Sequence, residues 1–290
     1  MIAVLFYKLG AFLTHLLPDR ITTRIAATLG FIQYYMRIRT RRNLARNLRV
    51  ILEPGTPAAT IRRITRATFV NFAECVRLFL KLPRIDPQEF ARRIDATMFD
   101  RVLEKLEPGK GFIIVSAHLG PWELGGIYMK HKKIRMHTVA LDHPTRQATR
   151  FFNERRIYAS TVCYPLEGSF PALKKALEAG ECVVLLIDRD YKTTNNRCTF
   201  FGLPVSLPNS HLLLAARCRV PLVPGAFLLQ PDAGFKGIFR GPYHIADYAD
   251  RLAAMEEVQQ RCLADLEDLI REYPDQYFHF EPLQEHYESH

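Results

Sequence analysis

The hydrophobic positions change period once along the chain. Up to about residue 107 they recur at three and four residues, the spacing of amphipathic helices; from Gly111 onward short apolar runs alternate with helical stretches. The opening run, Met1 to Leu17, is apolar but carries Lys8 and His15. It lacks the basic start and small-residue cleavage site of a cleaved signal peptide. It is also too interrupted for a membrane span, which takes about twenty mostly apolar residues. The pattern fits a helix lying on or dipping into one leaflet, and equally an ordinary buried helix. Residues 19–52 read as continuing helix, with a second apolar run from Ile25 to Met36 whose Tyr34 and Tyr35 suit a membrane–water boundary. Pro54-Gly-Thr-Pro57 breaks the chain. A further amphipathic helix is expected over 58–82, with Ile61, Ile64, Phe69, Phe72, Val76, Phe79 and Leu80 on its apolar side and Pro83 at its end. Residues 87–107 read as short helices.

Beyond the Pro108-Gly turn, strands are expected at 111–117, 135–141, 160–164, 182–188, 221–228 and 236–245, and helices at 122–131, 144–157, 168–179 and 208–218. A last helix over 249–273 stops at Pro274, and 276–280 adds a final strand. The prolines of Val220-Pro-Leu-Val-Pro224 confine their strand to an edge or to its beginning. This alternation defines an α/β fold with a central, mostly parallel or mixed sheet flanked by helices. The chain divides into an N-terminal helical region, 1–107, and an α/β core, 108–290.

Composition narrows the class of partner. With 48% hydrophobic and 24% charged residues over 290 positions the chain is globular. Forty Lys and Arg against thirty Asp and Glu leave a net charge of +10, which favours nucleic acid, a membrane surface or a phosphorylated substrate. Arg39, Arg42, Arg46 and Arg49 share one helical face, and no Asp or Glu falls between residues 20 and 52. Beside an apolar N-terminus this reads as a contact with anionic lipid rather than a merely solvated face. No zinc-finger, helix-turn-helix or RNA-binding framework accompanies the charge, so nucleic acid fits poorly. Six scattered cysteines argue against a zinc site or a disulfide framework and indicate a reducing compartment. No phosphate loop or dinucleotide fingerprint occurs, and no cofactor is expected.

Chemistry concentrates at two strand ends. Gly111-Phe-Ile-Ile-Val-Ser-Ala117 leads into His118-Leu-Gly-Pro-Trp-Glu123, and Pro121 suits the first turn of the next helix. His118 therefore lies at the carboxyl end of a strand, where α/β sheets place their ligands. A turn of this length brings Glu123 back to one imidazole nitrogen and leaves the other for substrate, the geometry of a general base. The plainer alternative is a strand-end histidine that hydrogen-bonds a helix N-terminus. A second strand delivers Asp188, Arg189 and Asp190, and the following loop adds Lys192 and Arg197. Beside His118 these form a polar pocket, or else an ion-pair network at the sheet edge. Asp188 and Asp190 alone are a weak metal signal, and no metal is expected. Ser116 lacks a nucleophile elbow. His211, beside a helix cap, reads as structural.

The order of motifs resembles the bacterial lipid A biosynthesis (late) acyltransferases, within the His-x4-Asp/Glu superfamily of glycerolipid acyltransferases. That family also includes acyltransferases of mycobacterial phosphatidylinositol mannosides. The likeness runs through an apolar N-terminus, Arg42-Asn-Leu-Ala-Arg-Asn-Leu48, Asn71-Phe-Ala-Glu-Cys-Val-Arg-Leu78 and His118-Leu-Gly-Pro-Trp-Glu123. It continues through Ile187-Asp-Arg-Asp-Tyr191, Phe201-Gly-Leu-Pro204, Val220-Pro-Leu-Val-Pro224 and Leu266 to Phe278. It implies a glycerol-3-phosphate acyltransferase-like fold and a membrane-associated O-acyltransferase. The acyl chain would pass from an acyl carrier protein or coenzyme A thioester to a hydroxyl of a membrane glycolipid such as a lipid A precursor, with no acyl-enzyme. His118 would take the hydroxyl proton and Glu123 would orient His118. Arg189 and Arg197 would face the oxyanion or an acceptor phosphate, with Asp188, Asp190 and Trp122 also contacting substrate. The enzyme would sit on the cytoplasmic face of the inner membrane. Pro121 stands where the family commonly has Asn, and Tyr277-Phe-His-Phe-Glu-Pro282 replaces a Trp-rich ending. The acceptor therefore extends to other glycolipids, aminolipids or lysophospholipids. An acyl-thioester hydrolase and a non-catalytic lipid-binding protein are the competing functions.

Overall fold

The computed structural model describes residues 2–190, 196–232, 234–245 and 251–283. Four helices come first: α1 (Ile2–Leu16), α2 (Asp19–Met36), α3 (Ile38–Ile51) and α4 (Ala58–Lys81). The helix expected over 19–52 is broken between α2 and α3 at Arg37, whose φ of −93° and ψ of 67° are not helical. Helix α4 is the hub of this region. It packs along α2 and also touches α1 and α3. Gly30 permits the close crossing of α2 on α4, since a methyl group there would lie 2.6 Å from the Phe69 carbonyl oxygen.

After α5 (Pro87–Arg92), β1 (Ile94–Asp95) and α6 (Thr97–Leu103) the α/β part begins. It runs β2 (Phe112–Ser116), α7 (Gly125–His131), β3 (Met136–Ala140), α8 (Arg146–Tyr158), β4 (Thr161–Pro165), α9 (Phe170–Glu178) and β5 (Cys182–Leu186). Then follow β6 (Arg197–Phe200), β7 (Leu203–Ser206), α10 (Ser210–Cys218), β8 (Leu222–Leu229), β9 (Phe235–Phe239) and α11 (Arg251–Glu272). Seven strands form one sheet in the order β1-β9-β8-β2-β5-β3-β4, parallel except for the β8–β9 pair. The expected α/β class with a mostly parallel sheet between helices is what forms.

Alternation along the central strands explains their almost wholly apolar sequences. Ile113, Val115, Val183 and Leu185 face the cluster built with α9, α10 and α11, while Phe112, Ile114 and Cys182 face the cluster built with α4 to α8. The second cluster joins Ala11, Leu78 and Phe79 of the N-terminal helices to the sheet, and β1 pairs with β9 across the 107/108 division.

Several expected boundaries shift. The strand expected over 236–245 ends at Phe239, and 276–280 contributes a single bridge, Tyr277 to Leu119, rather than a strand. The start of the 249–273 helix falls partly on residues outside those described. β8 lies inside the sheet, not at an edge. Pro221 precedes it and Pro224 is its third residue, so the prolines sit at its beginning as their missing N–H groups require. The β6–β7 hairpin was not expected.

Candidate functional site

The site is set by strand register. β2 and β5 are parallel neighbours with Ser116 opposite Leu186, so the residues two beyond each, His118 and Asp188, emerge side by side at the carboxyl end of the sheet. His118 Nδ1 lies 2.8 Å from Asp188 Oδ1. The Asp188 side chain is fully buried and that of His118 is 19% exposed. Burial alone would raise the Asp188 carboxyl. The facing His118, hydrogen bonds from His118 and His279, and the Arg189 charge outweigh it and hold Asp188 well below the usual carboxylate range. An ionised Asp188 accepting from Nδ1–H selects the tautomer whose Nε2 lone pair is left for substrate.

Two further restraints fix the imidazole. Gly120 has φ +63°, and a methyl group there would lie 2.1 Å from the Phe227 carbonyl oxygen; only glycine lets the loop after β2 pass β8 this closely. The segment 276–280 then straps the loop down: Phe278 N donates to the His118 carbonyl at 2.8 Å and Gly120 N to the Gln276 carbonyl at 2.9 Å. The strap brings His279 Nδ1 to 3.9 Å from Asp188 Oδ2. Arg189 Nη2 donates to the Phe278 carbonyl.

The expected His118–Glu123 pair does not form. Glu123 instead accepts from Arg156 Nη2 at 2.8 Å and from Nε at 3.1 Å. The reason is positional: residues 122–124 form a 3-10 turn ahead of α7, and Arg156 of α8 meets the carboxylate there, with both side chains under 20% exposed. The imidazole partner is the residue 70 positions on, not five. Arg156 itself carried no signal in the sequence, being one of several arginines on a mixed helix.

His118, Trp122, Glu123, Arg156, Arg189 and Asp190 share the lining of a cleft of about 520 Å³. Its remaining wall is largely apolar, with Met136, Val139, Leu141, Leu166, Phe170, Leu173, Val184 and Leu214. Trp122 stands edge-on to His118 with ring centroids 5.3 Å apart. Asp190 accepts from Ser206 Oγ at 3.3 Å. Arg197 is exposed at the start of β6 and is not part of this lining. Lys192 lies outside the described residues. Cys163, with its thiol pushed up to about 11 by burial, is no ready nucleophile. Among the described residues no group of three His, Cys, Asp or Glu side chains is arranged to hold a metal ion. His211 is wholly buried with neither ring nitrogen hydrogen-bonded.

A histidine held by a buried carboxylate at a strand end, opening into a long apolar cleft, can deprotonate a hydroxyl beside a hydrocarbon chain. The chain belongs to the bacterial lipid A biosynthesis acyltransferase family, whose pattern it matches over residues 2–284. Two relatives are named phosphatidylinositol mannoside acyltransferase. The one from Mycolicibacterium smegmatis is 27% identical over 201 residues, covering 68% of this chain and 62% of the relative. The one from Mycobacterium tuberculosis is 28% identical over 191 residues, covering 63% and 58%. The chain thus spans about three fifths of the length of the curated relatives it matches. The 1-acyl-sn-glycerophosphate acyltransferase PlsC of Thermotoga maritima aligns over 85% of this chain and 97% of its own, with a TM-score of 0.38 and 11% identity, a likeness too distant to carry an argument.

Proposed function

We propose that this protein transfers a fatty acyl chain from a thioester donor to a hydroxyl of a membrane glycolipid. The observation that carries the reading is the His118–Asp188 pair opening into the apolar cleft. His118 Nε2 takes the proton of the acceptor hydroxyl as its oxygen attacks the thioester carbonyl carbon. The imidazolium that forms is stabilised by Asp188, which stays ionised. The C–O bond forms, the C–S bond breaks, and the departing thiolate receives the proton from Nε2, so the free imidazole is restored without an acyl-enzyme. Arg189 lines the same cleft and is the cation we place opposite the developing oxyanion. The apolar wall receives the acyl chain, and Trp122 with the Glu123–Arg156 pair borders the acceptor.

The family and the names of the relatives support a glycolipid acceptor, a mannoside of phosphatidylinositol or a lipid A precursor. The donor is an acyl carrier protein or coenzyme A thioester. For localisation we propose attachment to the cytoplasmic face of the inner membrane. No described helix is long and apolar enough to cross a membrane. Yet Leu5, Phe6, Leu9, Phe12 and Leu16 of α1 and Ile21, Ile25, Leu29, Ile32 and Met36 of α2 are exposed at helical spacing, a stripe suited to the interfacial plane.

The test is transfer of labelled acyl chain from an acyl carrier protein thioester to detergent-solubilised glycolipids, wild type beside His118→Ala. Labelled glycolipid from wild type, reduced roughly 10²–10⁴-fold in the variant, is the expected result. Free fatty acid in place of labelled lipid would favour the hydrolase, and equal rates for the two proteins would overturn the reading.

A further inference from the structure

A second cavity, of about 600 Å³, opens where α2 meets α3. Gln33, Arg37, Arg39, Asn43, Phe72, Phe280 and Glu281 are among the residues that line it, and Asn43 Nδ2 donates to the Phe280 carbonyl at 3.4 Å. The break at Arg37 sets both arginines against one hollow. Both are exposed, and among the described residues neither makes an ion pair, unlike Arg77 and Arg156. Residues 20–73 hold eleven arginines and one acid, Glu53, and Glu281 is the one carboxylate among the lining residues.

The donor set has a chemical complement. Guanidinium groups bind phosphate oxygens in a bidentate fork. Side-chain amides donate to and accept from hydroxyls. Aromatic faces pack against the C–H faces of a sugar or cyclitol ring, as ligand pockets pair apolar walls with a few placed polar groups. The neighbours indicate where such a ligand comes from. Ile32, Tyr35, Met36 and Ile38, all exposed, flank the same junction, so the tails of a lipid whose head filled the cavity would run beside the apolar stripe. The cavity is also joined to the reaction centre. Ring contacts pass from Phe280 to Phe72, Phe278, Trp122 and His118, each step between 5.2 and 6.1 Å. Asn47 pins the strap that carries Phe280, donating to the carbonyls of His279 at 2.9 Å and Glu281 at 2.6 Å.

We propose that this cavity is a second headgroup site, taking the phosphorylated polyol head of a membrane lipid with its phosphate on Arg37 and Arg39 and its ring over Phe72 and Phe280. The proposal rests on the membrane reading above only for the source of the ligand, which is either the acceptor's own head or a phospholipid that does not react.

Calorimetric titration of the full chain in detergent tests it, with glycerophosphoinositol as probe and inorganic phosphate and myo-inositol beside it. Wild type should bind the probe more tightly than either fragment. Arg37→Gln/Arg39→Gln, changed at two exposed positions and checked for an unaltered melting temperature, should bind it roughly tenfold or more weakly. His118→Asn should bind it as wild type does. Equal binding by the double variant, no saturable binding by wild type, or loss of binding in His118→Asn would overturn the proposal. A raised KM for the acceptor in neutral phosphatidylcholine vesicles would identify the acceptor head as the ligand. Loss of attachment confined to vesicles doped with phosphatidylinositol would identify a non-reacting lipid. Absence of acyl transfer in every protein would end the functional reading and leave the calorimetric result intact.

Discussion

In the reaction we propose, His118 and Asp188 divide the work of one base between two chain segments, and the division sets what each substitution does. Asp188→Asn keeps the size of the side chain but removes the charge that stabilises the imidazolium, so kcat should fall roughly 10²–10⁴-fold with KM little changed. The same substitution changes stability in acid. The Asp188 pKa is lower in the folded chain than its ordinary value of 3.8. Its ionisation therefore contributes stability fully above pH 3.8, and the contribution declines as pH falls below that toward the folded value. The difference in urea-unfolding free energy between wild type and Asp188→Asn should shrink as pH falls below 4. A difference that stays constant to pH 3 would refute the depressed pKa. His211 behaves oppositely in sense: burial without a partner pushes its pKa down to about 3. His211→Leu should gain about 1–3 kcal/mol at pH 7 by removing unsatisfied nitrogens. The gain should widen from pH 6.5 downward, where the unfolded chain takes up a proton that the folded chain refuses. The sequence made His118 legible as a strand-end candidate base, but the carboxylate that holds it was hidden. Separation along the chain favours Glu123, whereas the pairing of β2 with β5, which no local pattern encodes, favours Asp188.

Elements were legible where burial alone dictates sequence. β2, β3, β4, β5 and β8 lie within two residues of expectation; for β2, β5 and β8 the reason is that strands covered on both faces read as apolar runs between turns. The two-residue β1 is too short to leave a pattern. The β6–β7 hairpin alternates exposed and buried residues around Phe201-Gly202, and its polar first half read as loop. Between elements the Glu123–Arg156 pair ties the turn before α7 to α8. Both partners are largely out of water, so removing one strands the other. Glu123→Gln should therefore destabilise by about 3 kcal/mol or more. Glu123→Gln/Arg156→Met should recover part of that loss, a coupling that thermal denaturation of the four members of the cycle would measure. Additive losses would mean that the pair is not a structural clamp.

At the scale of the whole molecule, apolar and cationic surfaces share one region. The stripe on α1 and α2 precedes the arginines of α3, the arrangement from which we propose seating in the headgroup layer. Leu9→Glu/Phe12→Glu removes two exposed apolar side chains from α1, and sedimentation with phosphatidylglycerol-containing vesicles should weaken by roughly tenfold or more. Wild-type binding should also fall as salt rises through the range that screens surface charge, while retaining an apolar remainder. Unaltered sedimentation of the variant would place the membrane face elsewhere. The sequence suggested this orientation, but it left open whether the N-terminal helix is buried; the exposure of one face settles its geometry because only residues such as Ala11 and Thr14 turn inward. Trp122 is the sole tryptophan in 290 residues, edge-on to His118 and lining the cleft. With excitation selective for tryptophan over the twelve tyrosines, emission therefore originates at the candidate site alone, and under the proposed reaction arrival of an acyl chain should be readable in real time as a change in that emission, without a label.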